Sequence, residues 1–263
     1  DVYKRQAPTA SCAGAAAAVA IVAALAHLMR VGGVRARASA VTWCFLVVIG
    51  LLGPAPLLAG LVGLMAGAPL LTTRLAGLRV PHVPTAGQDL SVSDEVPTDN
   101  AVSARRAGQV YEGIAVGCAL AGIPALAFVA MNAHTEQVVG ASLALCLCIA
   151  GGVIVHAARH ARTVAAWALG LVGIAAACAA VTVVIREWQL VSVPGTATWI
   201  LSALAGCIVV TMLSAPLWAD KLAHVEPTTI VWFERAEALA LAACLPLAAH
   251  LAGLFEFIRG LGS

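Results

Sequence analysis

The sequence predicts an all-α protein, a polytopic bundle of transmembrane helices with about seven spans. Hydrophobic residues make up 61% of the 263 residues and charged residues only 11%, whereas a soluble domain carries about 25% charged residues. Mean hydropathy is +0.95. A soluble surface needs more charge than this, so most of the chain must face lipid. The net charge of +2 argues against a nucleic-acid partner.

The first span is predicted over residues 10–29. We set residues 1–9 apart as an artefactual or fragment N terminus, because the chain does not start with Met and its first residues are less apolar than the run after them. A signal peptide is the alternative for 10–29, but no small-residue cleavage site comes after it. Arginines stand there instead, as at the end of a span: Arg30, Arg35 and Arg37.

The second apolar run covers residues 41–71. It is too long for one straight span and too short for two comfortable ones. Pro54 and Pro56 lie in its middle, where each removes a hydrogen-bond donor and favours a kink. We predict one long kinked helix, so that residues 10–71 hold two spans. Two half-length re-entrant pieces are the alternative.

Residues 72–109 form the longest polar segment, and we predict a cytosolic loop whose last part is a short amphipathic helix over 101–111. A five-span bundle is predicted over 110–258, with short connectors that force antiparallel neighbours. Residues 259–263 form a C-terminal tail. The five spans are predicted over 110–131, 138–156, 163–185, 198–218 and 236–258.

Orientation is predicted from the distribution of Lys and Arg, which are enriched in cytoplasmic loops. A cytoplasmic loop 72–109 also places four further basic residues inside: Arg159, Arg162, Lys221 and Arg235. The opposite face receives Arg186 and Arg259. The arginines after the first span then fall outside, against the rule. That conflict disappears if residues 41–71 cross the membrane twice.

Catalytic machinery is not expected. His156 and His160 lie four residues apart, as in zinc peptidases, but Ala157 stands where those enzymes carry a general-base Glu. The cysteines lie in apolar runs and predict neither a disulfide framework nor a zinc site. Asn132 and His250 lie within spans and are assigned to hydrogen bonds across helix interfaces. We therefore predict no enzyme activity, cofactor or metal.

Small and charged residues near the ends of spans are assigned to helix packing and helix stability. Glycine pairs spaced four apart let helix backbones approach closely; the two pairs are Gly63–Gly67 and Gly113–Gly117. Glu234 and Glu237 stand at the start of the last helix, where acidic groups suit the positive end of the helix dipole.

The polar segment and the C terminus carry a family resemblance. Arg74-Leu75-Ala76-Gly77-Leu78 leads into Val80-Pro81-His82-Val83-Pro84-Thr85-Ala86-Gly87-Gln88-Asp89-Leu90, and Arg105-Arg106 then precedes Tyr111. The chain closes with Pro216-Leu217-Trp218, Lys221-Leu222, Glu237-Ala238-Leu239, Pro246-Leu247 and Phe255-Glu256-Phe257-Ile258-Arg259-Gly260-Leu261. The chain resembles the C-terminal part of EccD, the multi-span membrane subunit of actinobacterial type VII (ESX) secretion systems.

This resemblance implies a non-catalytic scaffold subunit of the export machine in the cell membrane, with the main polar loop in the cytoplasm. It implies a dimer that encloses a cavity with lipid, and assembly with EccB, the EccC ATPase and EccE. It also implies a ubiquitin-like domain and further spans that this chain lacks. Residues expected to face a partner or lipid headgroups are Arg105, Arg106, Tyr111 and Glu112, with a solvated juxtamembrane turn as the alternative.

A solute permease is the alternative function. It would need a polar or charged site near the membrane midplane. Only Asn132, His156 and His250 are candidates, and the two halves show no internal repeat. An intramembrane enzyme would depend on His156 and His160.

Overall fold

The computed structural model of the protein describes residues 29–77, 100–133, 136–158, 162–190 and 227–261, with a few positions between 199 and 210. Every element in these ranges is helical, and none of them is a strand. The all-α prediction is confirmed for this part of the chain. The predicted span over 10–29, most of the span over 198–218 and the middle of the loop 72–109 lie outside the described residues.

Two helices, not one, occupy the region around residues 41–71. Helix α1 covers Val34–Gly50 and helix α2 covers Pro54–Leu75. Gly53 separates them with φ of 128°, a conformation that favours glycine. Pro54 takes the first position of α2, where a missing N–H costs nothing. The prediction of a single kinked helix was therefore wrong, because the prolines begin a helix instead of bending one.

The next three helices are close to their predicted spans but longer. Helix α3 covers Asn100–Asn132, α4 covers Glu136–Ala158 and α5 covers Thr163–Leu190. The amphipathic segment predicted over 101–111 is continuous with the span after it, so α3 is a single helix of 33 residues. Pro124 lies inside it.

The last predicted span is divided into two helices. Helix α6 covers Pro227–Leu251 and helix α7 covers Leu254–Leu261. Gly253 lies between them with φ of 72°, and the two axes differ by 53°. Glycine is suited to this turn because it adopts a positive φ without steric penalty.

The order of the helices in space differs from their order in the chain. Helix α3 packs against α1, α2 and α5, while α4 packs against α5 and α6, and α6 returns to α2. Helices α2, α3, α5, α4 and α6 thus form a closed ring, with α1 outside it against α3. The consecutive helices α3 and α4 make little contact with each other.

The bundle has two distinct ends. One, here called the basic end, holds the start of α1, the end of α2 and the first half of α3, where Val34, Leu75 and Arg106 line one groove. The other, here called the turn end, holds the α1–α2 turn beside Asn132. Arg186 of α5 donates to the carbonyl oxygen of Met131 there. Helices α1 and α2 are therefore antiparallel, and the arginines at the start of α1 lie at the same end as the start of α3.

Four helices of the described chain are long and apolar enough to cross a membrane: Pro54–Leu75, Ala101–Asn132, Val138–Ala157 and Thr163–Glu187. The bent pair α6 and α7 raises the number to five if it is one span. Helix α1 has only 17 residues, about 25 Å, which is shorter than the bilayer core. The predicted number of about seven spans is not confirmed.

Apolar side chains both fill the bundle and cover its outside. The interior is built from small and branched residues such as Leu58, Ala115, Leu126 and Val172, each fully buried. Large apolar groups also point outward, and Trp167 is 71% exposed. A soluble protein rarely exposes so much apolar surface, so the outer face is suited to lipid.

Candidate functional site

Two neighbouring residues of α3 are each the centre of a set of polar contacts between helices. Tyr111 and Glu112 are each 6% exposed and lie at the basic end, about three turns into the helix. Because consecutive helical residues point in directions about 100° apart, the two side chains reach different neighbours. The result is two separate sets of polar contacts on adjacent faces of one helix.

Tyr111 is the first member of a hydrogen-bonded chain across three helices. Its hydroxyl lies 3.0 Å from Nε2 of His156 on α4. Nδ1 of the same ring lies 2.6 Å from Oε1 of Glu237 on α6. A carboxylate oxygen can only accept, so Nδ1 carries a proton and donates to Glu237, while a neutral ring accepts from the Tyr111 hydroxyl at Nε2. This chain, the Tyr–His–Glu layer, connects α3, α4 and α6.

Glu112 holds two arginines from other parts of the bundle. Its Oε2 lies 2.5 Å from Nη2 of Arg35 on α1, and its Oε1 lies 3.5 Å from Nη1 of Arg162 just before α5. The Glu112 side chain is 8% exposed, whereas those of Arg35 and Arg162 are 50% and 44% exposed. Gly108 leaves room for the Arg162 guanidinium, which a Cβ at that position would overlap.

The two glycine pairs lie in different environments. A Cβ on Gly113 would lie 2.5 Å from the carbonyl oxygen of Arg35, and one on Gly117 would lie 2.7 Å from that of Ser39. These glycines thus allow the close crossing of α1 over α3. Gly63 is exposed and Gly67 meets only a side chain of its own helix, so neither packs against another described helix.

The remaining residues that the sequence analysis singled out lie outside these two sets of contacts. Arg105 and Arg106 are exposed at the basic end. Asn132 donates to the carbonyl oxygen of Phe128 in its own helix, and His250 lies beside the ring of Phe255. His160 lies outside the described residues, so the pairing of the two histidines stays untested.

Contact of Arg105, Arg106, Tyr111 and Glu112 with a partner or with headgroups stays a prediction. Of these four residues, Arg105 and Arg106 have exposed side chains and Tyr111 and Glu112 are buried. In the described part of the chain, no group of three or more His, Cys, Asp or Glu is arranged to hold a metal ion. Cysteines that the structure describes are free thiols.

Sequence reasoning did not find the Tyr–His–Glu layer. It assigned Glu237 to a helix dipole, and it considered His156 only as a candidate catalytic or permease residue. The only available signal was positional: antiparallel helices place the end of α4, the start of α6 and the start of the apolar part of α3 at one end of a bundle. Complementary hydrogen-bond donors and acceptors then bring the acid, the imidazole and the phenol together.

This arrangement holds helices together. Hydrogen bonds join the helices in the Tyr–His–Glu layer, and ion pairs join them at Glu112. Such contacts hold transmembrane helices in register. Together, the two sets of contacts tie four helices (α1, α3, α4 and α6) and the α4–α5 connection at a single level. The chain is thus a polytopic α-helical membrane protein whose buried polar groups join its helices.

Comparison with known proteins identifies the family. The model of the EccD-like transmembrane domain matches residues 2–261, so the chain belongs to the EccD-like transmembrane domain family. A chain in the solved structure of protomer 1 of the ESX-3 core complex has a similar fold, with a TM-score of 0.56 and 16% sequence identity. The similarity covers 92% of this chain and 57% of that one. No curated protein matches the sequence.

Proposed function

We propose that this chain is the membrane-embedded part of a non-catalytic scaffold subunit of a type VII (ESX) protein secretion complex. The observation that carries the proposal is the match to the EccD-like transmembrane domain over residues 2–261. The chain spans 57% of the length of the matched chain from the ESX-3 core complex, so the activity of a whole subunit includes more than these residues supply.

The distribution of charge supports a scaffold more than a solute carrier. Between the level of Glu112 and the turn end, the described helices α1 to α6 contain no Asp, Glu, Lys or Arg, since Glu136, Arg186 and Glu187 lie at the turn end itself. A permease normally needs polar or ionisable groups near the midplane. The buried polar groups instead join helices at one level, and membership of the EccD-like family gives the permease alternative no support.

The basic end is proposed to face the cytoplasm. Eight arginines of the described chain lie at this end and two at the turn end. The eight are Arg30, Arg35, Arg37, Arg74, Arg105, Arg106, Arg162 and Arg235, and the two are Arg186 and Arg259. Cytoplasmic flanks of membrane helices carry the excess of Lys and Arg. The antiparallel α1–α2 pair removes the conflict that a single helix over 41–71 would create.

Assembly partners are proposed from the family alone. A scaffold of this kind would join EccB-like and EccE-like membrane subunits and the EccC-like ATPase that supplies energy, and it would pair with a second copy of itself. The large apolar groups on the outside of the bundle, such as Trp167 and Trp232, provide surface for other transmembrane helices or for lipid.

The assembly proposal is tested by affinity purification of the full-length protein in mild detergent and mass spectrometry of the proteins that copurify. We expect a large complex that contains an FtsK-like ATPase and further membrane subunits. A lone monomer or dimer, under conditions that keep other membrane complexes intact, would overturn the proposal.

Orientation is tested by cysteine labelling in a variant whose own cysteines are replaced. A membrane-impermeant maleimide should label Leu51→Cys, in the exposed α1–α2 turn, on intact cells. It should label Arg105→Cys only after permeabilisation. The reverse pattern would show that the basic end faces outward.

A further inference from the structure

A groove on the outside of the bundle runs between α1, α2 and α3. Its volume is about 500 Å³. Val41 and Phe45 of α1 line it together with Leu64 and Leu71 of α2. Val41 and Phe45 are 55% and 51% exposed, so the groove is open along its length. An open apolar channel on the outside of a membrane bundle is accessible to lipid chains.

Two arginines line the basic end of the groove. Arg37 precedes Val41 by four residues and Phe45 by eight, so the three side chains form one stripe along α1. Arg106 begins a stripe of the same spacing on α3, which continues through Val110. Because α1 and α3 run in the same direction, both guanidinium groups lie at the same end of the same apolar channel.

These two charges differ from those of Arg35 and Arg162, which lie at the same end of the bundle. Arg35 and Arg162 share the single carboxylate of Glu112. Among the described residues, no carboxylate pairs with Arg37 or Arg106, and the one polar contact of Arg37 is a long hydrogen bond of 3.5 Å to a backbone oxygen. Both side chains are exposed. The channel therefore carries a charge of about +2 at its mouth that the described protein does not compensate.

We propose that this groove binds an anionic phospholipid. Its acyl chains lie along Val41, Phe45, Leu64 and Leu71, and its phosphate is held by the guanidinium groups of Arg37 and Arg106. Guanidinium forms paired, charge-assisted hydrogen bonds with phosphate oxygens, and basic pockets between transmembrane helices select acidic headgroups. Specificity comes from the two parts together, because neither a free phosphate nor an uncharged lipid satisfies both.

Native mass spectrometry of the purified protein tests this site, with 1-palmitoyl-2-oleoyl phosphatidylglycerol and the phosphatidylcholine of the same chains as probes. We expect the wild-type protein to retain phosphatidylglycerol in preference to phosphatidylcholine. An arginine that contacts the bound headgroup contributes about fivefold in affinity for anionic lipid. Arg37→Gln or Arg106→Gln should reduce retention about fivefold, and the double variant about thirtyfold.

Arg105→Gln is the matched control, because it removes the same charge from the neighbouring residue, which does not line the groove. It should change retention less than twofold. An equal loss with Arg105→Gln would overturn the site in favour of diffuse attraction, as would equal retention of the two lipids. Glycerol 3-phosphate, which carries the phosphate without the chains, should not displace the lipid, and displacement would identify a free-phosphate site instead.

The apolar half of the site has its own variant. Val41→Trp fills the groove without changing charge, and it should reduce retention of phosphatidylglycerol while the arginines stay in place. Unchanged retention in this variant would overturn the role of the channel. The four substituted residues are exposed: Arg37, Val41, Arg105 and Arg106. We therefore expect the variants to unfold at the wild-type temperature, which a thermal scan of each preparation checks. The outcome does not depend on assembly into a secretion complex.

Discussion

The two glycine pairs offer the sharpest test of helix packing, because they share a sequence pattern and differ in surroundings. An alanine at Gly113 would place its Cβ 2.5 Å from both the Arg35 carbonyl oxygen and the Cβ of Ala38. Ordinary van der Waals contact lies at 3.4–4 Å. One of the two obstacles is backbone, so a change of side-chain rotamer cannot relieve the overlap. Helix α1 would have to move outward by about 1 Å.

The expected size of the effect is the balance of two opposing contributions. Overpacking costs about 1–3 kcal/mol, while replacement of a helical Gly by Ala returns about 0.5–1 kcal/mol. Gly113→Ala should therefore lower the free energy of unfolding by about 1–2 kcal/mol. At Gly63 no atom lies within 4 Å of the added Cβ, so Gly63→Ala should be neutral or stabilising by up to about 1 kcal/mol.

Unfolding can be monitored through the buried cysteines with a thiol-reactive fluorophore, during titration of the detergent-solubilised protein with sodium dodecyl sulfate. Gly117→Ala should behave like Gly113→Ala, and Gly67→Ala like Gly63→Ala. Equal effects at Gly113 and Gly63 would refute the close crossing of α1 over α3. A stabilising Gly113→Ala would refute it more directly.

Two further predictions concern the polar contacts, and the same titration measures both. The double variant Arg35→Gln with Arg162→Gln should lower the free energy of unfolding by about 3–5 kcal/mol, because it leaves the buried Glu112 carboxylate without these two partners. Glu112→Gln should lower it by only about 1–2 kcal/mol, because the half-exposed arginines regain water. The triple variant should be more stable than the double arginine variant, and a triple variant that is less stable would contradict this asymmetry. Tyr111→Phe should cost about 1–2 kcal/mol by removing the hydroxyl donor to His156, and a neutral outcome would show that this hydrogen bond contributes nothing.

The region around residues 41–71 shows where local reasoning failed. The turn between α1 and α2 contains Leu51 and Leu52, so it is as apolar as the helices beside it. Both leucines are exposed, at 82% and 80%. Hydropathy therefore runs through the turn without interruption. The informative signal was the order of Gly53 and Pro54, which stops one helix and begins the next. The same prolines are consistent with a kink when no tertiary structure is known.

The Tyr–His–Glu layer could not be predicted, because its members are far apart in the chain. Tyr111 and His156 are separated by 45 residues, and His156 and Glu237 by 81. Periodicity reports only which residues of one helix share a face. It contains no information about which helices are neighbours, and the neighbours here include α3 with α5 in place of the consecutive α4.

The amino-acid sequence by itself determined the class of the protein: helical, embedded in lipid, without a recognisable catalytic motif and similar to the EccD family. Those properties depend on composition and on short segments, which are local. Tertiary structure alone decided that residues 41–71 turn back, that Gly113 and not Gly63 lies under a neighbouring helix, and that Glu112 holds Arg35 and Arg162. Such decisions depend on which helices pack together, because lipid is as apolar as the spans and gives no helix a preferred neighbour until close packing and buried polar pairs select one.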